Sequence, residues 1–217
     1  MVAEVATVAG NSAGAAERAG GRRYAGRSPD ERRQQRRQRL LDAGLQVFGT
    51  IGYDEATITL LCATARVGTK AFYEEFPTRE ALLLAVATDA VAAAAERLEA
   101  ALVAAPNDLE QRVRAGLSAY IGYLTEDPRR VRIAYHEVRV APLEAERQFA
   151  SVAFASLVTE QVAQLGVSGH ARDNLLLALA LTGGVGELLN HWTSAVEKPP
   201  TERLVDELTR LFVAALR

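Results

Sequence analysis

Apolar side chains recur along most of the chain at spacings of three and four residues, which predicts helices rather than strands. Glycine and proline residues divide this pattern into segments, because both residue types interrupt helices. The nine predicted helices span about 28–48, 57–65, 68–76, 78–104, 108–125, 128–138, 142–165, 171–196 and 201–216. The pattern therefore predicts an all-α protein.

The start of the first helix carries the clearest local signal. In the run Ser28-Pro29-Asp30-Glu31, the serine is the cap, the proline takes the first helical position and the glutamate completes a capping box. We expect Gly49 and Gly52 to end this helix at about Phe48.

Two short helices and a tight turn are predicted over 57–79, which reads TITLLCATARVGTKAFYEEFPTR. Thr57 can cap the first helix, and Arg66 and Val67 form the turn. The second helix begins at Gly68 or Thr69 and runs to about Phe76, where Pro77 stops it and Thr78 can cap the next helix. This layout is that of a helix-turn-helix, whose second helix enters the DNA major groove. A structural corner between two helices is the alternative.

The run VGTKAFYEEFPTREAL resembles the recognition helix and the start of the following helix in the tetracycline-repressor (TetR) family. The resemblance extends from near Arg36 to near Ala85, and beyond it the chain is similar only in helical character. It implies a three-helix DNA-binding head at 28–77 and a six-helix ligand-binding and dimerisation body at 78–217. Residues 1–27 are predicted to be a disordered basic tail, whose arginines either reach DNA or are simply solvated.

The resemblance also implies which side chains meet DNA. Residues at the N-terminus of a recognition helix reach base edges, where lysine can donate to guanine and an alanine methyl can touch thymine. Hydroxyl and guanidinium groups suit phosphates. The predicted DNA-binding residues are Thr57, Arg66, Thr69, Lys70, Ala71, Tyr73 and Arg79.

Two features depart from the family pattern. Arg66 replaces the usual glycine of the turn, which costs about 1 kcal/mol if the turn needs a positive φ. Glu74 and Glu75 place two negative charges on a helix that must approach phosphates. They would repel the phosphates unless they face solvent or accept from a cytosine amino group.

By the same resemblance, the body encloses a pocket for a small, largely apolar ligand. Aromatic side chains with a few polar groups are the usual lining of such a pocket, although each of them also fits ordinary core packing. The predicted ligand-binding residues are Tyr120, Tyr123, Tyr135, His136, Phe149, Phe154 and Asn190. Neither His136 nor His191 has a second ligand at metal-binding spacing, so no metal site is predicted.

The last two helices carry leucine stripes and a run of small residues that allow close helix packing. Two such helices from each of two subunits would form a four-helix bundle about a two-fold axis. The predicted interface residues are Leu176, Leu179, Gly183, Leu204, Leu208, Leu211 and Phe212. A packing face within one subunit is the alternative.

Charge is distributed unevenly between the two parts of the chain. Residues 1–79 carry 12 Lys and Arg against 9 Asp and Glu, a net charge of +3, whereas residues 80–217 carry 13 against 18, a net charge of −5. This distribution suits a head that binds a polyanion and a body that does not.

Composition narrows the class of protein further. A content of 49% hydrophobic and 24% charged residues is typical of a globular chain. One cysteine suits a reducing cytoplasm, and the sequence contains neither a membrane-length apolar run nor a signal-peptide pattern. Enzyme motifs are missing, so neither catalytic residues nor a cofactor is predicted.

These observations predict a cytoplasmic, homodimeric, sequence-specific transcriptional regulator. The resemblance implies a repressor that a small ligand releases from a palindromic DNA operator. An activator or a ligand-insensitive regulator with the same head is one alternative. A helical small-molecule carrier or an enzyme is the alternative from another class.

Overall fold

The computed structural model describes residues 28–146 and 175–216 and, between these ranges, only the single positions 152, 155, 156 and 159. The regular structure of the described residues is helical, which confirms the all-α fold. The helices are α1 (Pro29–Ile51), α2 (Ile58–Ala65), α3 (Thr69–Glu75), α4 (Arg79–Ala104), α5 (Leu109–Glu126), α6 (Pro128–Arg132, continued by a π-helical segment at Ile133–Glu137 and a short turn at Val138–Val140), α7 (Leu175–Ser194) and α8 (Thr201–Leu216). Most of the helix predicted over 142–165, and the loop at 166–169, lie outside the described residues.

Side-chain caps begin the helices α1, α2 and α4. At the start of α1 the Glu31 amide donates to Ser28 Oγ at 3.1 Å, and the Ser28 amide donates to Glu31 Oε2 at 2.6 Å. Thr57 caps α2 and Thr78 caps α4 in the same way, each accepting one backbone N–H. Local sequence therefore determines where these three helices begin.

The end of α1 differs from the prediction. The helix continues past Gly49 to Ile51, and Gly52 ends it with a φ of 89°. A Cβ atom on Gly49 would lie only 2.5 Å from the Cβ atom of Arg129. Gly49 therefore permits close packing of α6 against α1, and only Gly52 has the conformation that ends the helix.

The buried side chains form two clusters. The first combines α1, α2 and α3 with the beginning of α4, where Leu82 and Val86 are buried, and with Ile133 of the π-helical segment. The second joins α5, α7 and α8 through side chains such as Ile121, Leu189 and Trp192. The core of the head thus continues beyond residue 77 into the helices that follow.

Part of the predicted dimer interface lies inside this second cluster. Leu204, Leu208 and Phe212 of α8 are buried against α5 and α7 of the same chain. These three side chains therefore lie inside the subunit and not on its surface. An apolar stripe on a helix indicates that this face is buried, but it does not tell which other helix covers it. Of the other predicted interface residues, Leu176, Gly183 and Leu211 are exposed and Leu179 is half-buried.

Candidate nucleic-acid interface

The turn between α2 and α3 places α3 at the surface. The backbone N–H of Arg66 donates to the Ala63 carbonyl oxygen, and that of Val67 donates to the Cys62 carbonyl oxygen at 3.0 Å. Phe72 is fully buried and Phe76 nearly so, as the sequence predicts for the core side of α3. The opposite side of the helix is consequently turned outward.

The N-terminal residues of α3 are the accessible ones. Thr69, Lys70 and Tyr73 are exposed, and Ala71 is half-buried. The Tyr73 ring is braced edge-on against the Phe72 ring at 5.5 Å between centroids. Thr69 also faces the buried Cys62 of α2. Burial raises the pKa of the Cys62 thiol, and a hydrogen bond with Thr69 acts in the opposite direction by lowering that pKa. α3 therefore presents the side chains that direct base contact needs.

An open cleft of about 410 Å³ lies beside α3. It brings together three of the predicted DNA-binding residues, Thr57, Tyr73 and Arg79, and adds Thr78 and Glu80. The helices α2 and α4 both begin at this cleft. Because the N-terminus of a helix is the positive end of its dipole, both helices favour an anion at this place. The cleft thus has the chemistry that a DNA phosphate would use.

Arg79 also has a structural role that the sequence did not reveal. Its Nη1 atom donates to the carbonyl oxygens of Tyr53 and Ala56, at 3.1 and 2.8 Å, and its guanidinium group stacks 4.0 Å from the Tyr53 ring centroid. The Tyr53 hydroxyl bonds Glu80, and this bond lowers the pKa of the Glu80 carboxyl. Arg79 therefore fastens the loop between α1 and α2 to α4 while lining the cleft.

Arg66 adopts the left-handed conformation, with a positive φ, that would be costly for a residue other than glycine. It is exposed, ends α2 and has φ and ψ of 55° and 49°. A residue with a Cβ atom is strained in this conformation, whereas glycine is not.

Arg66→Gly is expected to raise the free energy of unfolding by up to about 1 kcal/mol, because glycine relieves this strain. If Arg66 contacts a phosphate as predicted, the slope of log affinity against log salt for DNA should fall by about 1. Arg66→Ala is the control, since it removes the charge but keeps the Cβ atom. Denaturant unfolding measures the stability, and a loss of stability in Arg66→Gly would contradict the interpretation.

The structure corrects the expectation for Glu75. Its side chain is 1% exposed and lies 2.8 Å from Arg36 Nη2 and 3.4 Å from Arg33 Nε. Glu74 remains 49% exposed, at 3.6 Å from Arg36. Two arginines of α1 therefore hold Glu75, and a third, Arg37, lies 4.5 Å from the Phe76 ring centroid. Glu75 thus anchors α3 to α1 instead of repelling phosphate.

In the body, two of the predicted ligand-binding tyrosines meet. The Tyr120 and Tyr135 hydroxyl oxygens are 2.6 Å apart. Burial raises the pKa of Tyr120 well above its ordinary value and that of Tyr135 to about 12. The buried Oδ1 atom of Asn190 has no hydrogen-bond partner among the described residues. A polar group of this kind inside an apolar core is a candidate contact for a ligand.

Tyr123 and His136 have surroundings different from those of this hydroxyl pair. Tyr123 lies between two guanidinium groups, with Arg97 and Arg130 at 3.9 and 4.0 Å from its ring centroid. His136 is exposed. Phe149 and Phe154 lie outside the described residues.

The amino-acid sequence of the head matches the model of a known protein family. Residues 40–86 match the model described as bacterial regulatory proteins of the tetR family. The matched range includes α2, α3 and the cleft, and it agrees with the extent of the resemblance seen in the sequence. None of the curated proteins with which the sequence was compared matches it.

Solved structures extend the similarity to the body. The fatty acid degradation regulator FadR from Bacillus halodurans is 18% identical, with 88% of this chain and 98% of that chain covered and a TM-score of 0.73. The regulator FadR from Bacillus subtilis, in complex with stearoyl-CoA, is 19% identical, with 83% and 99% covered and a TM-score of 0.68. A tetR-family regulator from Streptomyces coelicolor is 18% identical, with 84% and 80% covered and a TM-score of 0.65. At these identities the comparison establishes the fold, which is that of TetR-family regulators.

Proposed function

We propose that this chain is a homodimeric repressor that a small, largely apolar ligand releases from a palindromic operator. The head sequence matches the TetR-family model, and the fold is that of TetR-family transcriptional regulators. Residues 28–77 would read DNA, and residues 78–217 would bind the ligand and the second subunit. The observation that carries this proposal is the outward-facing N-terminus of α3 beside the cleft of Thr57, Tyr73 and Arg79.

The proposed DNA contacts follow from this surface. Lys70 would meet a base edge in the major groove, where a lysine can donate to guanine. Thr69 and Ala71 would lie beside it, and Tyr73 would donate its hydroxyl to a phosphate at the cleft. Glu75 needs no compensation near DNA, because Arg33 and Arg36 already neutralise it.

A second subunit would cover the exposed apolar residues of α7 and α8. Leu176 is 77% exposed and Leu211 is 50% exposed, and both lie on the final two described helices. Gly183 is exposed on α7 and has no atom within 4 Å of the place where a Cβ atom would be. This open small-residue position allows a partner helix to approach closely.

The proposed effector would occupy the body near the two tyrosines. Tyr120 and Tyr135 offer hydroxyl groups at an otherwise apolar cluster, and Asn190 on α7 offers a buried Oδ1 atom. The Bacillus subtilis FadR structure contains stearoyl-CoA, which supports a ligand with a long apolar part. Differential binding of such a ligand to two head arrangements would lower DNA affinity.

Two substitutions in α3 test the proposed DNA surface. Lys70→Ala is expected to weaken binding to the operator and to relax the preference at one base position by about 1–3 kcal/mol. Tyr73→Phe should weaken binding about tenfold on all sequences, because it removes a hydrogen bond to a charged group. Fluorescence polarisation with labelled DNA from upstream of the protein's own gene measures both changes.

Lys198→Ala is the matched control, because it removes one positive charge at a site remote from the head, where Lys198 lies over the Trp192 ring. We expect it to bind DNA like the unmodified protein. If Lys70→Ala and Tyr73→Phe also bind like the unmodified protein, α3 is not the recognition helix.

A further inference from the structure

The π-helical segment at Ile133–Glu137 lies between the head and the body. A π-helical turn is a rare feature, and its widened backbone is frequently found at functional sites. The sequence around this turn contains no capping or helix-breaking residue that would predict it. Two side chains of this one turn, Tyr135 and Glu137, make contacts in opposite parts of the molecule.

Glu137 holds the end of the first head helix. Its buried carboxylate accepts from the Tyr53 amide and from Arg132 Nε, each at 2.6 Å. Arg132 Nη1 in turn donates to the Thr50 carbonyl oxygen at 2.8 Å. Backbone groups at the C-terminal end of α1 are thus satisfied by an ion pair from the body rather than by the head itself.

Two glycines allow this contact to be close. Gly52 has a positive φ, and a Cβ atom there would lie 2.9 Å from Arg132 Nη2 and 3.3 Å from Glu137 Oε2. At Gly49, a Cβ atom would overlap Arg129. At Gly49 and Gly52, no flexible side chain of α1 lies between α1 and α6. A shift of α6 would therefore move the end of α1 directly.

Tyr135 faces the body from the same turn. Its hydroxyl oxygen is 2.6 Å from that of Tyr120 on α5, and its ring packs against Gly186 on α7. A Cβ atom on Gly186 would lie 3.0 Å from Tyr135 Cε1. The ring thus fills the space between two body helices, beside the group proposed above to meet the ligand.

We infer that this π-helical turn couples the ligand site to the DNA-binding head. An occupant that displaces the Tyr135 ring must move the turn, and the turn carries Glu137 two residues away. The Glu137 and Arg132 contacts to Tyr53 and Thr50 then loosen, which changes how α1 is held. This inference rests on the proposed function for its biological meaning, whereas the mechanical link is a property of the fold.

The substitution Gly186→Ala imitates such an occupant without any ligand. Its Cβ atom pushes on the Tyr135 ring, and we expect hydrogen exchange at the Tyr53 amide to become at least about tenfold faster. Gly122→Ala on α5 is the matched control, because it gives the same gain in helix propensity and its Cβ atom would meet nothing within 4 Å. The control should leave exchange at the Tyr53 amide unchanged, as measured by NMR.

A second variant reaches the same turn by removing an interaction. Tyr135→Phe loses the hydrogen bond to Tyr120, and it should also accelerate exchange at the Tyr53 amide. Glu137→Gln provides the reference for a directly weakened contact. If Gly186→Ala and Tyr135→Phe are folded by near-ultraviolet circular dichroism and neither alters exchange at the Tyr53 amide, the coupling is refuted.

DNA binding is measured separately on the same variants. With the proposed function correct, Gly186→Ala should change operator affinity by about fivefold or more, and Gly122→Ala should not. Unchanged affinity in Gly186→Ala, despite faster exchange, would refute the coupling to DNA. Failure of the unmodified protein to bind operator DNA would instead refute the proposed function, and the exchange result would still decide whether the mechanical link exists.

Discussion

Replacing Glu75 by lysine is expected to lower the free energy of unfolding by about 3–5 kcal/mol. The substitution removes a carboxylate that is 1% exposed and places a positive charge between Arg33 and Arg36. A lysine at this buried position would carry a charge without a partner and would face two like charges, and an unpaired buried charge is among the most destabilising results of a single substitution. Because Glu75 fastens α3 to α1, DNA binding should also be lost in whatever fraction of the protein remains folded.

The adjacent residue supplies the control for this prediction. Glu74 is 49% exposed, so Glu74→Lys should change the free energy of unfolding by no more than about 0.5 kcal/mol. Its DNA affinity should be equal to or higher than that of the unmodified protein, since a repulsive charge is removed. Urea unfolding compares the two variants, and equal stabilities would show that Glu75 does not anchor the recognition helix.

Phe212→Ala is expected to lower the free energy of unfolding by about 3–5 kcal/mol, whereas Leu211→Ala should have a small effect on it. The two residues are neighbours on α8, but Phe212 is 7% exposed and Leu211 is 50% exposed. Truncating a buried aromatic side chain removes its packing and leaves a cavity. Urea unfolding at a fixed protein concentration measures this difference.

The same pair distinguishes the core from the proposed dimer interface. Leu211→Ala should weaken association of the subunits, as measured by analytical ultracentrifugation, while Phe212→Ala that remains folded should not. The opposite pattern, in which Phe212→Ala weakens association without destabilising the subunit, would place Phe212 at the interface as its stripe first suggested.

The sequence predicted those features whose causes are local. Ser28, Thr57 and Thr78 cap their helices, and the short turn at Arg66 takes the positive φ that a glycine usually provides. These outcomes depend on hydroxyl groups and backbone geometry within a few residues, so neighbouring positions are sufficient to predict them. The layout of two short helices and a turn was predictable for the same reason, whereas the choice of side chains that face DNA came from the resemblance to the TetR family.

Features that depend on distant partners were not predictable. Glu75 looked like a charge facing DNA because its partner Arg36 lies 39 residues earlier in the chain. Gly49 looked like a helix stop because Arg129, the residue that needs its open space, lies even further away along the chain. For Phe212, periodicity indicated a buried face, but nothing in α8 itself shows that α5 covers it.

The π-helical turn had no sequence signal at all. It begins at Ile133, within an ordinary apolar pattern, and its consequence is the pairing of Glu137 with the end of α1. Tertiary packing on both sides of the turn, at Gly52 and at Gly186, is what distinguishes this position.

The most direct test of the central claim is the affinity of the unmodified protein for double-stranded DNA from upstream of its own gene, measured over a range of salt concentrations. A scrambled duplex of the same composition serves as the comparison. We predict binding to one palindromic site that is at least about 10³-fold tighter than binding to the scrambled duplex and that falls steeply with salt. Equal and weak binding to both duplexes at every salt concentration would contradict the account.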